Sequence, residues 1–165
     1  MMKRIGLRVV LVVAIASTIA CDRATKHMAA TMLAGTANRS FLADTVRLEY
    51  AENAGAFLSL GADWPFWLRT TLFGIGNAVL LFVLTVVAMR RRWSRPALLG
   101  LALCVAGGAS NLLDRLAFGR VIDFINVGLG SVRTGIFNVA DMAIMLGAAI
   151  VVLGVLQEST SSPPP

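Results

Sequence analysis

The stretch Thr70–Met89 runs for twenty residues without a charged side chain, about the length of helix that crosses the hydrocarbon core of a bilayer. Three further apolar runs share the chain. Val9–Cys21 is uncharged and extends back to Ile5 if Arg8 snorkels to the headgroups; Pro96–Leu113 gives eighteen residues; Thr134–Gln157 is interrupted only by Asn138 and Asp141. The pattern predicts an α-helical membrane protein, a bundle of four transmembrane helices at about 5–21, 66–89, 96–113 and 134–157 within a single domain over 1–165. Composition agrees: 57% of the 165 residues are hydrophobic and 15% charged, where a soluble domain carries about a quarter charged. Lipid must therefore cover part of the apolar surface.

Charge placement gives the orientation. Lys3, Arg4 and Arg8 precede the first run, and Arg90, Arg91, Arg92 and Arg95 lie between the second and third with no acid among them. The segment Asp22–Arg69 balances basic against acidic residues, and Asp114–Arg133 does so once Asp141 just beyond it is counted. Both termini and the second link are thus expected on the cytoplasmic side, with the first and third links outside. The net charge of +6 is read as this topological signal, and no nucleic-acid partner is expected. The Ser- and Pro-rich tail, 158–165, reads as disordered. Met1–Cys21 also resembles a leader ending in a lipid-acceptor cysteine, but three further spans favour an uncleaved helix. Cys21 and Cys104 fall at different depths, so no disulfide is expected.

The first outer link is long and patterned. Phe41–Tyr50 mixes β-branched, aromatic and polar residues, and Asn53-Ala54-Gly55-Ala56 supplies turn chemistry, which predicts a small extracytoplasmic platform with β character. Trp64, Phe66 and Trp67 suit the membrane interface, and Pro65 suits the first turn of the second span.

Polar groups gather towards the same side. Asp22 and Lys26 are four apart at the outer end of the first span and pair if that helix continues. Asn111, Asp114 and Arg115 lie at the outer end of the third span, after Gly107 and Gly108, which admit a neighbouring backbone. Asn138 and Asp141 share a face at the start of the fourth. Asp123 lies between, in the strand-like Val121-Ile122-Asp123-Phe124-Ile125. Ionisable groups at membrane depth are costly and usually functional.

Absences narrow the chemistry. One histidine, His27, cannot build a zinc site of the usual kind, and neither H-E-x-x-H nor G-x-S-x-G occurs. Neither Lys3 nor Lys26 has a serine at dyad spacing. No metal or other cofactor is expected. The pair Asp123 and Asp141 remains: two close carboxylates share one proton, the ionised partner activating water and the protonated one donating to a carbonyl. Blander readings stand beside this. Asp141 could pair structurally with Arg115 or Arg133, Asp123 could be a solvated loop carboxylate, and Asp114 could pair with Arg115. Asn53 could serve the turn alone, and His27 reads as an interfacial polar residue without a role. A small transporter or assembly factor using Asp141 as a proton relay is the rival function; it would continue polar residues to the cytoplasmic side.

Asp22-Arg23-Ala24-Thr25-Lys26, Glu52-Asn53-Ala54-Gly55-Ala56-Phe57, Gly107-Gly108-Ala109-Ser110-Asn111-Leu112-Leu113-Asp114-Arg115, Val121-Ile122-Asp123-Phe124 and Phe137-Asn138-Val139-Ala140-Asp141 together resemble lipoprotein signal peptidase, or signal peptidase II. The likeness spans about residues 5–157, in the family's order. It implies that Asp123 and Asp141 are the catalytic pair. It further implies that Asn53 with Gly55 of its turn, Asn111, Arg115 and Asn138 position substrate or dyad, and that Asp22, Lys26 and Asp114 support them. The implied substrate is a prolipoprotein whose cysteine already carries diacylglycerol, cut just before that cysteine at the outer leaflet of the bacterial inner membrane by a monomeric enzyme. Inhibition by globomycin-type compounds follows from the same likeness. Ser110 stands where many members carry glycine, a departure expected to leave activity intact. Phe57-Leu58-Ser59-Leu60-Gly61 also departs, and is expected to alter how the platform covers substrate.

Overall fold

The computed structural model describes residues 2–55, 61, 63–90 and 93–161, with side chains described within 6–157. Arg91, Arg92, the departure at 57–60 and the tail's 162–165 lie outside the described residues.

The first helix, α1, spans Met2–Met32, well past the end of its apolar run at Cys21. Nothing in Asp22–Met32 breaks it: the stretch has neither proline nor glycine, and Ala, Met and Lys favour helix. At about 1.5 Å per residue this helix is about 46 Å long, more than a hydrocarbon core requires.

Two strands follow, β1 (Arg39–Phe41) and β2 (Val46–Asn53). Leu42, Ala43 and Asp44 join them, all three at positive φ. Next comes a continuous helical stretch, Phe66–Arg90, made of a turn of α2 (Phe66–Arg69), a π-helical segment Thr70–Gly76, and α3 (Asn77–Arg90). Pro65 is its N-cap, one position ahead of the first-turn place expected. Then come α4 (Arg95–Phe118), β3 (Val121–Leu129), β4 (Val132–Arg133) and α5 (Val139–Ser161). The last helix continues to Ser161, into the stretch whose composition reads as disordered.

Three helices among the described residues are long and apolar enough to cross a membrane: Phe66–Arg90, Arg95–Phe118 and Val139–Gln157. Their outward faces expose large apolar side chains such as Phe82, Leu113 and Leu153, as lipid contact requires.

Close backbone approach sets the α4–α5 packing. A Cβ on Gly100 would stand 2.6 Å from the Gly147 carbonyl oxygen, and one on Gly107 2.3 Å from that of Ala140. Small residues at such crossings let helices gain packing where no hydrophobic force drives them together. The strands form one antiparallel sheet in the order β1-β2-β3-β4, with Val46 opposite Val127, Asn53 opposite Val121, and a bulge between Leu48 and Ala51. Phe137 bridges to Ile125, so the approach to α5 lies along the sheet. Phe124 packs on Ala29 of α1 and on Leu33 just past its end, with Leu48, Tyr50 and Val139 around them. The overlong first helix is thus the post that carries the sheet.

Among the described residues, the largest fully buried side chains are Val121, Asn138, Asp22 and Ser110. Three of these four are polar. The most deeply buried large side chains are thus mostly polar, where a soluble domain buries mostly apolar ones.

Candidate active site

The buried polar groups are delivered by different elements. Asp123 is an inward position of β3 and only 2% exposed, which removes its reading as a solvated loop carboxylate. Asp141 is in the first turn of α5. Asn138, at the N-cap, joins the two. Its Nδ2 donates to Asp123 Oδ1 at 2.6 Å, its Oδ1 accepts from the Asp141 N–H at 3.0 Å, and its own N–H donates to Asp141 Oδ2 at 3.2 Å. The last two bonds form a capping box. The spacing Asn138-x-x-Asp141 therefore both starts the helix and fixes the carboxylate.

The remaining oxygens of the pair also face donors. Asn53 Nδ2 donates to Asp123 Oδ2 at 2.8 Å while its Oδ1 accepts from the Gly55 N–H at 2.9 Å, the expected turn chemistry serving the site. Asn111 Nδ2 donates to Asp141 Oδ1 at 2.9 Å. Burial pushes the Asp123 carboxyl up to about 6; the Asn53 bond opposes this, the nearby Asp141 charge adds to it, and the Asn138 bond and Lys26 oppose it.

Asp22, fully buried on α1, ties three helices together. Its Oδ2 accepts from Lys26 Nζ at 2.7 Å and from Ser110 Oγ at 2.6 Å, and its Oδ1 caps the Ala140 N–H at 2.8 Å. The i,i+4 pairing of Asp22 with Lys26 is as the sequence leads one to expect.

Asp114 does not pair with Arg115. It accepts from Lys26 Nζ at 2.7 Å and from Arg23. Consecutive helix residues point about 100° apart, so Asp114 faces α1 while Arg115 faces the turn after β2. There Arg115 donates to the Gly55 carbonyl at 2.8 Å and to that of Asn111 at 3.3 Å, and its Nε is buried without a partner. Arg133 does not reach Asp141 either: it bonds to Asn126 and to the Asp44 carbonyl, the latter at 2.8 Å. Both structural pairings considered for Asp141 are absent from the hydrogen bonds and ion pairs among the described residues.

A cavity of about 480 Å³ opens beside Asp141, Asn111 and Arg115, walled by Phe73, Leu80 and Met145 from the helices on either side. A pair of buried carboxylates held by donors, one of them lining an apolar cleft, suits hydrolysis of an extended, apolar chain.

Residues 14–157 match the family model described as signal peptidase (SPase) II. The chain belongs to the signal peptidase II family. It is 34% identical over 122 residues to a lipoprotein signal peptidase of Vibrio parahaemolyticus, covering 72% of this chain and 70% of the relative. It is 41% identical over 107 residues to that of Yersinia enterocolitica, covering 64% and 62%. A solved bacterial membrane enzyme superposes with a TM-score of 0.82 at 20% identity, over 94% of this chain and 93% of that one. A second gives 0.76 at 21%, over 89% and 92%. At those identities the structures speak for the fold.

For a signal peptidase II family member, the ten positions singled out in the sequence converge: Asp22, Lys26, Asn53, Gly55, Asn111, Asp114, Arg115, Asp123, Asn138 and Asp141 form one connected set of bonds. Two residues outside this set brace it from behind, and neither is marked as a site residue by the sequence. Ser110 holds Asp22, and Arg23 holds Asp114. Gly107, Ser110, Asn111 and Asp114 repeat at three- and four-residue spacing, which marks one helix face and could have drawn Ser110 into the site. No sequence signal pairs Arg23 with Asp114.

Proposed function

We propose that Asp123 and Asp141 are the catalytic dyad of a membrane aspartic endopeptidase that removes signal peptides from diacylglyceryl-modified prolipoproteins, cutting just before the lipidated cysteine. The observation that carries this is Asn138: one side chain and its backbone bond to both carboxylates, one of which, Asp141, lines an apolar cleft. One proton shared between the two leaves one partner ionised. That partner takes a proton from water as the water oxygen adds to the scissile carbonyl carbon, and the other gives its proton to the carbonyl oxygen. Collapse of the resulting diol breaks the C–N bond, and the amine leaves with a proton returned through the dyad. No covalent intermediate forms. Arg115, with a free Nε, suits a substrate carbonyl.

Four spans complete the arrangement, with α1 crossing through its uncharged run Val9–Cys21. Both termini face the cytoplasm because the basic link, bounded by Arg90 at the end of α3 and Arg95 at the start of α4, follows the positive-inside rule. The dyad then lies at the outer leaflet, where a lipid-anchored substrate enters sideways from the bilayer, and a monomer suffices because one chain supplies every group of the dyad's shell.

The test is cleavage of a purified, lipid-modified prolipoprotein by Asp123→Asn and Asp141→Asn in detergent. Each is expected to lose at least about 1,000-fold in kcat, the scale on which catalytic groups act. Wild-type turnover by either variant removes that residue from the mechanism.

A further inference from the structure

Four carboxylate oxygens of the dyad meet four donors, and three of those donors are asparagine amides. An amide presents N–H₂ to a carboxylate only if something holds its oxygen the other way, since a half-turn would set oxygen against oxygen. For Asn53 the holder is the Gly55 N–H, and for Asn138 it is the Asp141 N–H. Both are main-chain groups. Asn111 differs: its Oδ1 accepts from Lys26 Nζ at 2.7 Å and more distantly from Asn138 Nδ2 at 3.3 Å. An ammonium carries three donors and no acceptor, so it admits only one orientation of that amide.

The ammonium is itself fixed. Lys26 is 4% exposed, and its three protons match three acceptors: Asp22 Oδ2, Asp114 Oδ2 and Asn111 Oδ1, each at 2.7 Å. Two carboxylates hold the nitrogen, and the third proton is aimed at the amide.

We infer that Lys26 is a positioning residue, whose obligate donation fixes the Asn111 amide so that its N–H₂ meets Asp141. This rests on the peptidase reading and narrows the supporting part of the lysine to one contact. Its bonded route to the dyad runs through Asn111, its charge also favours an ionised Asp123 across space, and it touches neither substrate nor reacting atoms.

The experiment is a double-mutant cycle on the purified full-length protein, with a lipid-modified prolipoprotein as substrate and thermal unfolding as the fold control. Lys26→Met is expected to lower kcat by about 10- to 100-fold, with KM within about threefold, as when one preorganised donor is lost. In an Asn111→Ala background the same substitution is expected to change kcat by less than about threefold, because the bonded route to the dyad is already gone and only the lysine's charge, acting across space, remains. Arg23→Gln, which alters the same ion cluster without touching Asn111, is expected to leave kcat within about threefold. Equal losses from Lys26→Met with and without Asn111, or a loss from Arg23→Gln matching it, would show a merely structural ion cluster and overturn the inference. If Lys26→Met does not fold, Lys26→Arg decides: a guanidinium also only donates, so kcat is expected within about tenfold of wild type, and a folded Lys26→Arg below about one hundredth overturns it. An inactive wild type removes the peptidase reading and this inference with it. An active wild type with an unaffected Lys26→Met removes the inference alone.

Discussion

Asn138 and Asp141 cap each other: the side-chain oxygen of the first accepts the N–H of the second at 3.0 Å, and a carboxylate oxygen of the second accepts the N–H of the first at 3.2 Å. The amide nitrogen of Asn138 is left over, and it serves Asp123. Helix initiation and dyad geometry are thus two uses of one side chain, and they can be separated. Asn138→Ser keeps a good cap and loses the donor, so stability is expected within about 1 kcal/mol of wild type while kcat falls by about 10- to 100-fold. Asn138→Ala loses both and is expected to unfold about 1 kcal/mol more easily still. Thermal unfolding and turnover measured on both variants check this.

The Asp123 carboxyl gives the fold a pH dependence of known sign. Its value rises from 3.8 to about 6 on folding, burial being the main cause, so the folded chain holds this proton more tightly than the unfolded chain does. The stabilisation is fully present below about pH 4 and is lost as pH rises through about 6, a change of about 3 kcal/mol at most. Asp123→Asn removes this contribution, so the fall in melting temperature between pH 4.5 and 7.5 is expected to be shallower in the variant, as scanning calorimetry at about those two pH values can show. A slope unchanged by the substitution would contradict the assignment. Turnover that needs the shared proton is expected to decline on the alkaline side of about pH 6, or higher once substrate excludes water.

Two glycine contacts between α4 and α5 make a matched pair of probes. Gly107 lies against Ala140, next to Asp141, whereas Gly147 lies further along α5 against Gly100. Alanine at either is expected to destabilise by about 1–3 kcal/mol through overpacking. Only Gly107→Ala shifts the start of α5, so it is expected to lower kcat by about tenfold or more, with Gly147→Ala within about threefold. Equal effects on kcat would show that the α5 start does not depend on this contact.

How far the sequence led can be judged from these same residues. The apolar runs marked the helices because lipid demands an uninterrupted apolar surface, and helical spacing put Asp22 with Lys26 and Asn138 with Asp141. The strand around Val46 was visible as part of a platform and Val121–Ile125 as strand-like, though not that the two pair. Long-range partners were the illegible part. Asp114 sits next to Arg115 in sequence and pairs instead with Lys26 and Arg23, because tertiary packing, not chain adjacency, decides which faces meet. The length of α1 was also hidden: hydropathy ends where Asp22 begins, while helix propensity does not.

Ser110 offers a test on a side chain that the sequence treats as incidental. Its hydroxyl is fully buried and donates to Asp22 at 2.6 Å. Ser110→Ala leaves Asp22 with Lys26 and the Ala140 N–H, so a loss of about 1–2 kcal/mol is expected, with kcat within about fivefold. Unfolding midpoints unchanged by the substitution would show that this bond adds nothing to the fold.

Asp22 meets Ser110 and Ala140, 88 and 118 residues further on. During synthesis the first helix is therefore complete long before the groups that satisfy its carboxylate have been translated. Among its partners in the described residues, Lys26, one turn away, is the companion already present at that moment, and the two opposite charges form a nearly neutral couple. The proposed dyad is then incomplete until Asp141 has been made, so a chain truncated before that residue is expected to lack peptidase activity.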